Sequence, residues 1–305
     1  MKPSFKNPAV WGTLAALIGN GIFGFSFMFS RMALSVAQPF VMLAYRFSIA
    51  FLFINVICIH SRRKRLGGWL RFQIPWRKCA PLLLLGLIQP VLYFLCESYG
   101  ISMTNATVSG IIIALIPIVA LACGFLFMRE RPTLKQIAFS VLSIAGVVVM
   151  TLQQSADGDI RFLGVLLLVG AVVCGAAYNI LSRFLSDRFS ALERTYVMML
   201  TAAVSFVLLA ACTNLETPEA LIAPVKDITF ISSMLYLSLF SSILAFLMLN
   251  YAATVLPVSK STAFCNITTV LSVFAGVAFL GESITYVSLI AAAVIIIGVF
   301  GVQKS

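Results

Sequence analysis

The sequence predicts an all-α integral membrane protein, with ten transmembrane helices arranged as two inverted five-helix repeats. Three observations predict this class: an apolar composition, a series of apolar runs of membrane-spanning length, and matching residues at one fixed spacing. Of 305 residues, 61% are hydrophobic and 10% are charged, whereas a soluble domain carries about 25% charged residues. A soluble core cannot take up this apolar excess, but a bilayer can, because it also solvates apolar side chains on the outside.

The apolar runs are separated by short polar or proline-containing segments, and a helix needs roughly 20 apolar residues to cross the hydrocarbon layer. The predicted spans are residues 10–30, 40–59, 79–99, 106–128, 134–152, 162–182, 192–212, 230–251, 259–280 and 284–302. The first run, Trp11–Ser30, is longer than the roughly 7–15 apolar residues of a signal peptide. Since many similar runs follow it, we expect it to be the first span.

The distribution of lysine and arginine predicts the orientation, because cytoplasmic loops of membrane proteins carry an excess of both. With the N-terminus inside, the outer segments hold only Arg31, Arg161 and Lys226. We therefore expect a multi-pass protein of the cell (plasma or inner) membrane with both termini in the cytoplasm. The net charge of +11 then reflects this bias and not nucleic-acid binding. The basic run Arg62–Arg65 is a topology anchor or, alternatively, a contact for anionic membrane lipids.

Motifs for catalysis or for metal binding are missing from the sequence. The seven cysteines form no CxxC pair, and His60 is the only histidine, so neither a disulfide framework nor a multi-histidine metal site is expected. The sequence contains no HExxH, no GxSxG and no Walker A motif. We predict no catalytic residue, no metal and no cofactor.

The chain repeats itself at a spacing of 152 residues (282 − 130). Chance matches among apolar residues are common, but matches of glycine, arginine, tyrosine and glutamate at one offset are not. The matching pairs include Gly12 and Gly164, Arg31 and Arg183, Tyr99 and Tyr251, Glu130 and Glu282, and Gly146 and Gly298. Each half, residues 1–152 and 153–305, holds five spans, so the second must enter the membrane from the opposite side. Such inverted repeats place a substrate site near the midplane, between the halves.

Charged residues within spans mark candidate functional positions, because each costs about 2.5–3.5 kcal/mol at a helix centre on insertion scales. The clear cases are Arg46 and Glu97, which the predicted topology puts at similar depth in the outer half. Three readings remain open. The two form a structural ion pair, or Glu97 is a proton or cation site modulated by Arg46, or both reach toward the membrane interface.

Polar residues near the midplane complete the predicted site. Gln89, Tyr93 and Glu97 recur every four residues and share one helix face, beside the helix-breaking Pro90. Hydrogen bonding between helices is the alternative role for the asparagines. The predicted substrate-binding set is Asn20, Arg46, Gln89, Tyr93, Glu97, Asn179 and Asn266. Glu130 and Glu282, which each precede a span, are expected to cap the helix that follows.

Two segments carry a resemblance to a known family. Leu92–Met150 contains YFLCESYGISMTNATVSGIIIALIP, and Leu244–Val302 contains FLGESITYVSLIAAAVIIIGVFGV. Both resemble the EamA-type domain of the drug/metabolite transporter superfamily, and two tandem copies cover nearly the whole chain. In each, an aromatic-rich span and a small-residue turn precede a span with a helix-breaking centre, a glutamate and a glycine-containing closing span.

The resemblance implies a central cavity between two inverted repeats and a secondary transporter that works by alternating access. Such proteins commonly export small molecules, namely amino acids, related metabolites or drugs, and protons are a candidate coupling ion. Arg46 alone among arginines and lysines lies well inside a span, which argues against a multiply charged anionic substrate. A passive facilitator or exchanger of small solutes and a membrane-embedded enzyme are the alternatives.

Overall fold

The computed structural model describes residues 8–74, 79–128, 133–156, 161–256, 264–282 and 285–304, and these residues form helices and no strand. The helices of the first half are α1 (Pro8–Leu34), α2 (Pro39–Lys64), α3 (Ala80–Gly86), α4 (Tyr93–Ser102), α5 (Ala106–Ile113), α6 (Ile116–Met128) and α7 (Leu134–Ala156). Those of the second half are α8 (Phe162–Leu185), α9 (Ala191–Thr213), α10 (Glu219–Ile222), α11 (Ile228–Leu235), α12 (Phe246–Val255), α13 (Cys265–Leu280) and α14 (Tyr286–Lys304).

Six helical segments of the described chain are long and apolar enough to cross a membrane. They are Pro8–Leu34, Pro39–Lys64, Ala80–Ser102, Phe162–Leu185, Ala191–Thr213 and Ile228–Val255. Four shorter apolar helices occupy the positions of the remaining predicted spans: Ala106–Ala120, Leu134–Val149, Ile267–Leu280 and Leu289–Gly301. The all-helical membrane class is thus confirmed, whereas the number of ten crossing helices stays a prediction.

The fourth predicted span, residues 106–128, is interrupted at its centre. Helix α5 ends at Ile113 and α6 begins at Ile116. Pro117 lies just beyond the interruption; it has no N–H to donate to the carbonyl one turn earlier, and it disfavours helical geometry at the residue before it. The chain passes the break with short i→i−3 hydrogen bonds, such as that from the Leu115 amide to the Ile112 carbonyl (3.0 Å).

Two other spans contain widened, π-helical stretches at corresponding places. In the first half Leu87–Leu92 joins α3 to α4, and in the second Tyr236–Ala245 joins α11 to α12. Gln89 has an extended backbone within the first stretch (φ −145°, ψ 118°), and Pro90 follows it. Widened turns of this kind leave the regular ladder of helix hydrogen bonds incomplete, and they occur frequently at functional sites.

Contacts within one half recur in the other at the spacing of 152 residues. Nη1 of Arg31 donates to the Ile101 carbonyl (2.9 Å), and Nη1 of Arg183 donates to the Ala253 carbonyl (3.0 Å). Both residues of the second pair lie 152 positions after those of the first. The two matching arginines therefore have the same structural role, since each connects the end of one helix to the end of another.

Contacts between the halves are exchanged in the same way. Gly12 of the first half packs against Val255 of the second, and Gly164 of the second half packs against Met103 of the first. Gly164 lies 152 positions after Gly12 and Val255 lies 152 positions after Met103, so the two contacts join the same pair of related positions with the halves exchanged. Such an exchange is what a twofold relation between the tandem segments predicts. Where α7 crosses α14, Ser143 contacts the residue that lies 152 positions after it. The Ser143 hydroxyl donates to the carbonyl of Ile295 (3.2 Å).

Candidate functional site

A buried cavity lies where α1, α4, α5, α8, α12 and α13 meet, and residues of both halves line it. The cavity volume is about 50 Å³, which is room for a few water molecules. A pocket that holds a small organic ligand typically measures roughly 300–1,000 Å³. In this conformation the cavity is therefore too small to hold a metabolite.

Aromatic rings form much of the cavity wall. The rings of Phe23, Phe27, Phe94 and Tyr178 line the cavity, and three of them pack around Phe246. The centroid of Phe246 lies 5.3 Å from that of Phe23, 6.1 Å from that of Phe94 and 5.9 Å from that of Tyr178, all in edge-on arrangements. Such edge-to-face packing is favourable and holds the rings in defined positions.

The polar stripe predicted from the spacing of Gln89, Tyr93 and Glu97 lies along the cavity, and all three residues line it. The Tyr93 hydroxyl lies beside the Glu97 carboxylate. The described residues contain a single ion pair, between Arg71 and Glu193, so no cationic side chain among them lies within 4.0 Å of Glu97. A carboxylate thus faces a small aromatic cavity without a direct counter-ion.

Arg46 lies behind this wall and is completely buried. Its Nε donates to the Ser242 hydroxyl (2.9 Å) and its Nη2 donates to the Ser241 hydroxyl (2.7 Å). The guanidinium lies 4.1 Å from the centroid of the Phe94 ring, which stands between it and the cavity. The ion-pair reading of Arg46 and Glu97 is therefore wrong for this conformation, because the serines of the widened stretch hold Arg46 instead.

Two of the three predicted asparagines line the cavity, and the third, Asn266, belongs to α13. Asn20 and Asn179 line the cavity, and each donates to a carbonyl one turn earlier in its own helix, Ala16 and Gly175 respectively, at 2.8 Å. The Thr268 hydroxyl also donates to the Asn20 carbonyl (2.9 Å), which joins α13 to α1. The side chain of Asn266 lies outside the described residues.

The sequence analysis did not single out a second buried arginine, Arg194, although it falls just inside the predicted span 192–212. Its Nη1 donates to the Ser182 carbonyl and hydroxyl (both 2.7 Å), and its Nη2 donates to the Asn250 carbonyl and the Thr254 hydroxyl (both 2.6 Å). A sequence signal does exist. Ser190 and Glu193 form a capping box that starts α9 at Ala191, and this start places Arg194 inside the helix.

Glu282 caps a helix, but not the predicted one. Its carboxylate accepts hydrogen bonds from the backbone amides of Ala106 (2.8 Å) and Thr107 (2.9 Å). These are the first residues of α5, in the other half of the chain. A carboxylate is favoured there because it meets unpaired amides at the positive end of the helix dipole. Glu130, the matching residue, lies outside the described residues.

Apolar helices that cross a membrane several times and enclose a cavity between two related halves define a polytopic membrane transport protein. A model of the EamA-like transporter family matches residues 10–152 and again residues 162–303. The chain therefore belongs to the EamA-like transporter family, and the family resemblance read from the sequence is confirmed.

Individual relatives agree with the family. The chain is 32% identical over 294 residues to the uncharacterized transporter YcxC of Bacillus subtilis (strain 168), covering 94% of this chain and 91% of that one. It is 26% identical over 214 residues to a probable terminal-alkyne amino-acid exporter of Streptantibioticus cattleyicolor, covering 70% and 69% of the two chains. A protein of known crystal structure has a similar fold over 95% of both chains, with a TM-score of 0.65 and 19% sequence identity. That last likeness supports the fold alone.

Proposed function

We propose that this protein is a secondary transporter that exports a small metabolite, an amino acid or a related compound, by alternating access. The observation that carries the proposal is the narrow cavity between the related halves, with Glu97 in its wall. A metabolite does not fit into about 50 Å³, so it can reach the polar stripe only when one side of the protein opens. Opening one side at a time is what alternating access requires.

The proposed architecture is ten spans in two inverted repeats, residues 1–152 and 153–305, with both termini in the cytoplasm. The exchanged contacts of Gly12 and Gly164 support a twofold relation between the halves. Five spans in each half would set the twofold axis in the membrane plane. The outward-open and inward-open states would then be similar arrangements with the roles of the halves exchanged.

Asn20, Gln89, Tyr93, Glu97 and Asn179 are the proposed substrate contacts, because their polar side chains line the cavity. Arg46 acts from behind Phe94, and Asn266 stays a prediction. The relative named as an amino-acid exporter favours an amino-acid-like substrate and the outward direction. We further propose protons as the coupling ion, with Glu97 as the group that carries them.

Uptake into everted membrane vesicles tests the proposal. Vesicles from cells that express the protein should accumulate at least one member of a radiolabelled panel of amino acids and related metabolites. An acidic lumen should drive the accumulation, and vesicles that lack the protein are the control. Equilibration of a solute without accumulation would instead favour a facilitator, and no uptake across the panel would contradict the substrate class.

Replacing Glu97 tests its proposed role in the same vesicles. Glu97→Gln removes the carboxylate that can carry a proton, so we expect accumulation to lose its dependence on the pH gradient while solute exchange persists. Glu219→Gln is the matched control, because Glu219 is exposed and the chemical change is identical. Gradient-driven accumulation by well-folded Glu97→Gln protein would remove Glu97 from the coupling mechanism.

A further inference from the structure

The guanidinium of Arg46 is incompletely hydrogen-bonded in this conformation. Its Nε and Nη2 bind the two serines, but Nη1 is buried without a partner, and so is the hydroxyl of Ser238, one turn before Ser241 and Ser242. A buried charged donor that lacks an acceptor is strongly unfavourable. The arrangement therefore suits a residue that has a better partner in another state of the protein.

Glu97 is the described acceptor that can bring a negative charge to bear on Arg46. It lies one turn after Phe94, on the same face of α4, and Phe94 is the ring on which the guanidinium rests. The other titratable groups around the two residues are Tyr93 and Cys265 at the cavity, Tyr178 across it and Tyr236 beside Arg46. Phenols and thiols with ordinary pKa values are largely neutral between about pH 5 and 8, so among the described groups around Arg46 it is Glu97 that can offer a negative charge.

We infer that Arg46 is a positioning residue of the transport cycle, which exchanges its partners between the Ser241 and Ser242 hydroxyls and the Glu97 carboxylate. The inference rests on the proposed function. When Glu97 is charged and holds no proton or substrate cation, Arg46 turns to it and releases the serines. When Glu97 is loaded, Arg46 returns to the serines and ties α2 of the first half to the widened stretch of the second.

The exchange of partners moves no proton itself, since Arg46 stays charged throughout. The proton binds to Glu97 from solvent and leaves to solvent, and Arg46 converts that event into a contact made or broken between the halves. Two unit charges attract more strongly in a poorly solvated interior than in water, whereas a serine hydroxyl offers only a dipole. The charge on Glu97 therefore decides whether Arg46 binds the carboxylate or the serine hydroxyls.

The buried arginine and its pair of serines occur at one of two related places, although the fold repeats. The residue 152 positions after Arg46 is Met198, and those 152 positions before Ser241 and Ser242 are Gln89 and Pro90. Neither a cation nor a pair of hydroxyls stands at the related positions. Closure controlled by Glu97 is thus built into one of the two related interfaces, and the two open states need not respond alike to protonation.

Alkylation of Cys265 can report the opening, because this native thiol lines the cavity together with Glu97. The other six cysteines are replaced by serine, and the rate of reaction with a water-soluble maleimide is measured in detergent at pH 4.5 and pH 8. A variant that keeps only the exposed Cys212 supplies the intrinsic pH dependence of the chemistry. No substrate and no transport are needed, so failure here is distinct from failure of the transport assay.

Relative to the Cys212 reference, we expect the Cys265 rate to rise by about tenfold between pH 4.5 and pH 8, because Glu97 loses its proton as the pH rises and a single titrating group can shift populations by that much. Glu97→Gln should hold the rate low at both pH values, because Arg46 then stays on the serines. Arg46→Gln and the double change Ser241→Ala and Ser242→Ala should give a high rate at both. Opposite effects of removing Glu97 and Arg46 are the signature of the exchange.

Arg46→Lys keeps the charge and should retain part of the pH dependence, which a purely structural role would not predict. If Arg46→Gln fails to fold, as judged by size-exclusion elution, the serine double variant and Arg46→Lys still decide the matter. A pH dependence that persists unchanged in the serine double variant would overturn the inference. So would a change in the same direction in Glu97→Gln and Arg46→Gln, or a parent protein whose Cys265 rate follows the Cys212 reference.

Discussion

Two buried arginines on corresponding helices show two ways in which a membrane interior holds a charge. Arg194 in α9 reaches carbonyl and hydroxyl acceptors on α8 and α12 with both terminal nitrogens. Arg46 in α2 has two serine hydroxyls and an aromatic ring, and one nitrogen remains unpaired. We interpret the first as a fixed connection within the second half, and the second as a connection that can be exchanged.

Substitution of Arg194 should show the cost of losing a fixed connection. Arg194→Gln removes a charged donor that satisfies the Ser182 and Asn250 carbonyls, so we expect a loss of about 2 to 4 kcal/mol in the free energy of unfolding. Arg188→Gln is the control, because Arg188 is exposed. Thermal unfolding of purified protein in detergent measures both, and an unchanged midpoint for Arg194→Gln would contradict the structural role.

At the scale of single residues, the sequence predicts which side chains share a helix face better than it predicts their hydrogen-bond partners. The four-residue spacing predicts the shared face of Tyr93 and Glu97, whereas Gln89 lines the same cavity from an extended backbone outside regular helix. The acceptors of Arg46 lie 195 and 196 residues away in the chain, and no local pattern connects them. Arg194 does not stand out in the sequence, because a basic residue at the end of a span also fits the general charge bias of cytoplasmic loops.

At the scale of the helices, glycine decides how closely the two closing helices approach. A Cβ on Gly298 of α14 would lie 2.8 Å from the Phe139 carbonyl of α7, and one on Gly146 would lie 3.1 Å from the Ala291 carbonyl. These two contacts are related by the spacing of 152 residues. Small residues permit such close approach of backbones in membranes, where packing replaces the hydrophobic effect.

Alanine substitution should therefore separate the two kinds of glycine in this protein. Gly298→Ala would press a methyl group against backbone atoms of α7, and we expect a loss of about 1 to 3 kcal/mol. Gly21→Ala is the matched control. Its Cβ would meet only Leu271, at 3.8 Å, and helix propensity predicts a gain of up to about 1 kcal/mol. Equal unfolding midpoints for the two variants would refute the close crossing.

The positions of the spans followed from apolar length, because burial in hydrocarbon needs only composition and about 20 residues. The interruption before Pro117 and the widened stretches depend on where individual backbone hydrogen bonds fail. The cap from Glu282 to α5 bridges 176 residues. The sequence predicts a cap on the neighbouring helix instead, since local rules connect a capping residue only to the chain next to it.

At the scale of the whole molecule, the proposed inverted arrangement fixes which loops share a side. The segment after α2 packs against the start of α9, where the Gln73 amide donates to Glu193 (2.7 Å) and the Ser190 hydroxyl donates to the Arg71 carbonyl. These contacts put the basic segments of the two halves at one end of the molecule. Positive charge from both halves is thereby concentrated on one face, as the proposed cytoplasmic side requires.

Labelling in intact cells tests this sidedness. In a cysteine-free background, Lys64→Cys and Arg188→Cys should react with a membrane-impermeant maleimide only after permeabilisation, because both belong to the basic face. Leu215→Cys, at an exposed position after α9, should react without it and serves as the control. Strong labelling of Lys64→Cys in intact cells, or the reverse pattern overall, would contradict the proposed orientation.

The cap that Glu282 places on α5 bears on how the chain is made. Synthesis delivers Ala106 and Thr107 to the membrane long before residue 282 exists, so the first amides of α5 must wait for their acceptor. The N-terminal half therefore stands incomplete in the bilayer until nearly the last helix has been inserted. Two separately translated halves should assemble only when both are present in one membrane, and a lone N-terminal half should be a substrate for membrane proteases.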